Sequence, residues 1–105
     1  MNNRNKKANP NSSLYQAILM LKDPMECFDF FMDLCTVPEL NAMEQRFEVA
    51  RLLNRGLIYN KILEKTGASS ATISRVNRSL NYGSDGYRNV LERLDAEEGL
   101  TQEAE

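Results

Sequence analysis

Between Thr66 and Leu80 the chain reads TGASSATISRVNRSL. Arg75 and Arg78 bring planar donor forks suited to a guanine edge or a phosphate. Ser69, Ser70 and Ala71 are small, so a helix starting there can bring its free N–H groups close to an anion or a base edge. Ala71 and the methyl of Thr72 can touch a thymine methyl, and Ser74 lies at the edge of the same face. Lys61 and Lys65, just upstream, can reach a polyanion's backbone beside it. No acidic residue falls between Glu64 and Asp85. Residues 46–78 carry seven basic and two acidic groups, a local net charge of +5 in a chain whose total is −2. A local basic patch is what contact with a polyanion requires. The candidate DNA-contacting residues are therefore Lys61, Lys65, Ser69, Ser70, Ala71, Thr72, Ser74, Arg75 and Arg78.

Other chemistry is thinly represented. The chain has no histidine, which removes most general-base and hydrolytic arrangements. Its two cysteines, Cys27 and Cys35, fall short of the four ligands of a structural zinc site and read as buried reduced thiols among Phe28, Phe31 and Leu34. Asp29 and Asp33 have ordinary helix-surface spacing. No phosphate loop is present. The expectation is a protein that is not an enzyme and binds no metal.

The elements that must position the basic face are all helices. Ser12 or Ser13 caps a first helix to about Leu21, with Leu14, Ala17, Ile18 and Leu21 on one stripe. Asp23 caps a second, with Pro24 at its first position, to about Cys35. Met25, Cys27, Phe28, Phe30, Phe31, Met32 and Leu34 wrap more than one of its sides, as in a helix buried from several directions or by another chain. The segment TVPEL opens a third helix to about Arg55, with Leu40, Met43, Phe47, Ala50 and Leu53 or Asn54 in a 3-4-3 rhythm and Gly56 as its left-handed stop. Two short helices follow, about Tyr59 to Lys65 and Ser70 to Tyr82, joined by TGASS. Ile62 and Leu63 face inward on the first, and Ile73, Val76 and Leu80 on the second. That is the pattern of a helix-turn-helix. The outer face of the second then centres on Ala71, Arg75, Arg78 and Tyr82. Gly83 ends it, and Asp85 caps a final helix to about Ala96 with Val90, Leu91 and Leu94.

The stretch TGASSATISRVNRSLNYGSDGY, with ILMLKDPMECFDFFMDLCTVPEL and QRFEVARLLNRG, resembles the Trp repressor superfamily, and within it the bacterial YerC/YecD subfamily. The resemblance covers about residues 12 to 96. It implies a six-helix chain that intertwines as a homodimer and binds operator DNA through its fourth and fifth helices. By position, Arg46 and Arg75 match the two arginines that hold an amino-acid corepressor in that family. The residue after Arg75 departs from the family pattern. The tryptophan-binding repressor has glycine there, leaving room for the indole ring, whereas this chain has Val76. The expectation is that tryptophan does not bind and that there is no cofactor; a different small-molecule corepressor at Arg46 and Arg75 is left open.

The sequence thus leads to an all-α, Trp repressor-like domain over 12–96, preceded by a flexible polar arm over 1–11 and followed by an acidic, frayed tail over 97–105. Neither a membrane span nor a secretory signal is visible, and the expected location is cytoplasmic. The expected function is a sequence-specific, DNA-binding transcriptional regulator, a repressor, working as a homodimer. Its two reading helices would stand roughly 34 Å apart, one per successive major groove. The alternative is a homodimeric interaction module whose basic face binds an acidic protein partner. That face lacks the aromatic anchors usual in protein interfaces.

Overall fold

The computed structural model describes residues 9–99. Most of the expected polar arm and acidic tail lies outside the described residues. Six helices follow in order: α1 (Ser13–Ile18), α2 (Pro24–Leu34), α3 (Val37–Asn54), α4 (Tyr59–Thr66), α5 (Ser70–Tyr82) and α6 (Gly86–Glu98). No strand occurs among the described residues. None of these helices is long and apolar enough to cross a membrane. The chain divides into two compact units between Leu40 and Asn41, within α3.

In the first unit, local chemistry sets the helix ends. The Ser12 hydroxyl accepts from the Leu14 N–H at 3.2 Å. α1 stops at Ile18 rather than near Leu21. Met20 and Leu21 instead donate to the carbonyls of Ala17 and Ile18, three residues back. This tightening carries the chain out of the helix ahead of Asp23, whose backbone is extended before Pro24. Asp23 Oδ1 accepts from the Glu26 N–H at 2.8 Å. Thr36 and Glu39 form a reciprocal capping box at the start of α3, Glu39 N to Thr36 Oγ1 at 3.2 Å and Thr36 N to Glu39 Oε1 at 2.9 Å. Neither α1 nor α2 buries a residue within this chain. Cys27 and Cys35 are free and half-buried rather than fully enclosed.

The second unit holds the core. Val49, Ala50 and Leu52 of α3, Ile62 of α4, Ala68 of the connecting turn, Ile73, Val76 and Leu80 of α5 and Leu91 of α6 are all buried, with Phe47, Leu53, Leu57 and Tyr87 packed against them. α3 ends as expected at Gly56 (φ +90°). Gly56 N donates to Leu53 O and Leu57 N to Leu52 O, a Schellman closure whose apolar follower Leu57 joins the core.

Four expectations fail here. Leu63 is 44% exposed, because α4 has eight residues and turns one narrow side, centred on Ile62, into the core. Val90 is also exposed, and Leu91 carries the burial on α6. Asp85 makes no side-chain cap, and its backbone is left-handed (φ 69°) rather than the extended form usual at an N-cap. α6 continues to Glu98 and closes on Gly99 (φ 74°), so residues 97 and 98 are helical rather than frayed.

Candidate nucleic-acid interface

Each residue of the short link between α4 and α5 has a distinct task. Thr66 Oγ1 donates to Ile62 O at 2.8 Å and accepts from Ala68 N at 3.1 Å, bridging the end of α4 and the turn. Gly67 takes φ +72°, a left-handed conformation that costs an L side chain about 1–2 kcal/mol. Ala68 is 2% exposed and fills the elbow with a single methyl. Ser69 caps α5, accepting from Thr72 N at 3.1 Å while its hydroxyl donates to Thr72 Oγ1 at 3.1 Å. The turn is also held from outside, where Gln45 Nε2 of α3 donates to Thr66 O at 3.1 Å.

α5 separates cleanly into two rows. Ile73, Val76 and Leu80 are 0%, 2% and 4% exposed. Opposite them Ala71, Ser74, Arg75, Arg78 and Tyr82 are exposed. Ser70 and Ala71 open the helix with exposed side chains and no acid in the first turn. Ser74, Arg75 and Arg78 together line a shallow cleft of about 300 Å³. Lys61 and Lys65 are exposed on α4. Thr72 is half-buried, and its hydroxyl is engaged with Ser69.

The positive charge of 46–78 is not all available. Arg51 is bound to Glu48 through two contacts, Nη2–Oε2 at 2.6 Å and Nε–Oε1 at 3.1 Å. The hydrogen bond from Arg51 holds the Glu48 carboxyl below the usual glutamate range against the upward push of partial burial, and the same bond raises Arg51. Arg55 faces two acids of α6, Asp95 at 3.6 Å and Glu98 at 4.0 Å. Lys61 lies 3.9 Å from Glu64 in a solvent-exposed pair worth little. Among the described residues Arg46, Lys65, Arg75 and Arg78 make no ion pair. The segment's net charge therefore overstates the usable charge, which is concentrated on α5 and at the end of α4. Arg46 is exposed on α3, and no described bond joins it to Arg75.

One group essential to this geometry has no sequence signature. Arg88 of α6 donates to Leu80 O at 3.1 Å, to Asn81 Oδ1 at 2.7 Å and to Asn54 Oδ1 at 3.5 Å, fastening the end of α5 to α6 and α3.

Comparison with known proteins gives a consistent answer. The family model for Trp repressor protein matches residues 11–95. The chain belongs to the Trp repressor family. A Bacillus subtilis (strain 168) relative, the uncharacterized protein YerC, is 56% identical over 81 residues, which span 77% of this chain and 78% of the relative. The crystal structure of a TrpR-like protein from Eubacterium eligens is 58% identical, with a TM-score of 0.79 over 88% of this chain and 95% of that one. A Staphylococcus aureus crystal structure, provisionally described as a Trp repressor, is 42% identical, with a TM-score of 0.81 over 90% of this chain and 95% of that one. The all-α fold is the Trp repressor-like fold. The Trp repressor family is a family of DNA-binding regulators.

Proposed function

We propose that this member of the Trp repressor family is a sequence-specific transcriptional repressor that reads the major groove with α5. The carrying observation is the division of α5 into a fully buried anchoring row and an exposed row in which Arg75 and Arg78 have no acidic partner among the described residues. A helix anchored in this way is already ordered, so binding pays for fixing its outer side chains but not its backbone. In this reading Ser70, Ala71, Ser74, Arg75 and Arg78 meet the groove, Ser69 and Thr72 shape the helix end that enters it, and Lys61 and Lys65 meet the flanking phosphates. DNA contacts of this kind divide into phosphate positioning and base readout.

The working unit is a homodimer. In support, α1 and α2 bury none of their own residues, while Leu19, Met20, Met25, Phe28 and Val37 are 80%, 70%, 65%, 49% and 57% exposed. So much apolar surface on a soluble chain calls for a covering partner, and a second copy is the simplest one. Tryptophan is not the corepressor. Val76, where the tryptophan-binding repressor has glycine, is 2% exposed and occupies core volume.

Selection of bound duplexes from a random pool tests the reading. The expected result is a near-palindromic consensus whose half-sites lie about 10 base pairs apart, unchanged by tryptophan. A pool with no enriched sequence overturns it.

A further inference from the structure

The last turns of α5 carry a second cleft, of which the proposed DNA contacts use only Ser74 and Arg78. Ser74, Asn77, Arg78 and Tyr82 line a hollow of about 490 Å³ beside the Ser74–Arg75–Arg78 cleft, sharing Ser74 and Arg78 with it. Tyr82 is 86% exposed, so its ring is not held by packing among the described residues.

A chain of hydrogen bonds fixes the donor character of this hollow. Arg88 has only donors, so the Asn81 atom it meets at 2.7 Å must be Oδ1. Asn81 Nδ2 is thereby turned toward Asn77, where it donates to the carbonyl O and to Oδ1, each at 3.0 Å. Asn77 has then committed its side-chain oxygen, and its Nδ2, with two protons, has no partner among the described residues. The hollow therefore offers the Asn77 amide N–H groups, the Arg78 guanidinium and the Ser74 and Tyr82 hydroxyls. It contains four donor-bearing side chains and no carboxylate.

Helix length decides where such a set would lie on DNA. Ala71 and Tyr82 are eleven residues apart, about 16 Å along the helix axis, whereas the major groove is about 12 Å wide. With the small N-terminal residues against the bases, the Tyr82 end rises to the groove wall, where phosphates line the edge. We propose that Ser74, Asn77, Arg78 and Tyr82 form a seat for one backbone phosphodiester of the bound duplex in each half-site, held in its donor orientation by the Arg88–Asn81–Asn77 chain. The inference rests on α5 being the reading helix. It adds a register-fixing contact, which sets how far along the groove α5 sits, to the base contacts of its N-terminal half.

The test walks a single uncharged methylphosphonate along each strand of a duplex selected by the wild-type protein. At one flanking position per half-site, neutralisation should weaken the wild type about tenfold, as expected for loss of charge-assisted hydrogen bonds. Tyr82→Phe removes one donor and should blunt that sensitivity at this position alone. Asn77→Asp puts a carboxylate against the phosphate, so the same neutral linkage should strengthen binding instead of weakening it. Both variants should melt as the wild type does and select the same consensus. If both reproduce the wild-type profile at every position, the seat does not exist, although α5 still reads DNA. If the wild type selects no duplex at all, the underlying reading fails and the seat fails with it.

Discussion

Gln45 and Thr66 lie 21 positions apart in sequence, yet the Gln45 side-chain amide donates to the Thr66 carbonyl at 3.1 Å. This bond ties the long α3 to the turn that aims α5. Both partners are half-buried. Gln45→Ala leaves the Thr66 carbonyl without its partner and should cost about 1 kcal/mol, or roughly 4–8 °C of melting temperature for a domain of this size. Amide exchange at Ala68 and Ser69 should accelerate. Unchanged melting and exchange would show that the bond has no part in fixing the turn.

Adjacent positions on α5 should respond in opposite ways. Ile73 is fully buried, and Ile73→Ala should cost about 2–5 kcal/mol through lost burial and the cavity left behind. Ser74 is exposed with no described bond, and Ser74→Ala should stay within about 0.5 kcal/mol. Urea unfolding measures both. Comparable costs at the two positions would contradict the assignment of the inner and outer rows.

Two glycines three residues apart make a similar contrast. A Cβ on Gly83 would collide with the backbone carbonyl of Ser79, the group that closes the end of α5, whereas a Cβ on Gly86 would meet open space. Gly83→Ala should therefore destabilise by about 1–3 kcal/mol. Gly86→Ala, in the first turn of α6, should be neutral or stabilise by up to about 1 kcal/mol. Thermal melts of the two variants separate these outcomes.

The Glu48–Arg51 pair predicts a modest acid limb. Glu48 is held below its ordinary range in the folded chain by its bond to Arg51. Its contribution is thus complete above the unfolded glutamate value of ~4.3 and disappears as the pH falls through the lower folded value. Because the pair is still partly open to solvent, the contribution is only a few tenths of a kcal/mol. Glu48→Gln should flatten stability against pH below about 4.5 and leave neutral-pH stability nearly unchanged. An unaltered acid limb would contradict the pairing.

The parts of this molecule visible in the sequence are those where one local rule dominates. The α5 rows follow directly from the 3.6-residue period, and TGAS announces a turn because Gly tolerates a left-handed backbone and Ser caps the helix that follows. α3 is less legible, because apolar residues lie on several of its sides. The 3-4-3 rhythm of Leu40, Met43, Phe47 and Ala50 found Ala50 but missed Val49 and Leu52, which are among the most buried positions. Leu63 reads as internal because Leu is usually internal, yet a helix of two turns buries a single position, Ile62. Asp85 has the residue type of a cap but not the backbone of one. Gln45 and Arg88 could not be foreseen. Each acts on backbone atoms contributed by a different helix, and no spacing in the sequence encodes that meeting. The surplus positive charge was legible, but its division between internal ion pairs and free cations depended on α6 bringing Asp95 and Glu98 to Arg55.

The most direct measurement is the slope of log affinity against log salt for a selected duplex, compared among the wild type, Arg75→Ala, Arg78→Ala and, as a control, Arg51→Ala. Each arginine that neutralises a phosphate contributes about 0.9 to the magnitude of that slope. Removing Arg78 should lower the slope by about that amount, and removing Arg75 should lower the affinity whether it meets a phosphate or a base. Arg51, already occupied by Glu48, should change neither. Equal slopes and equal affinities for all four proteins would contradict the claim that the outer row of α5 is the surface this protein presents to DNA.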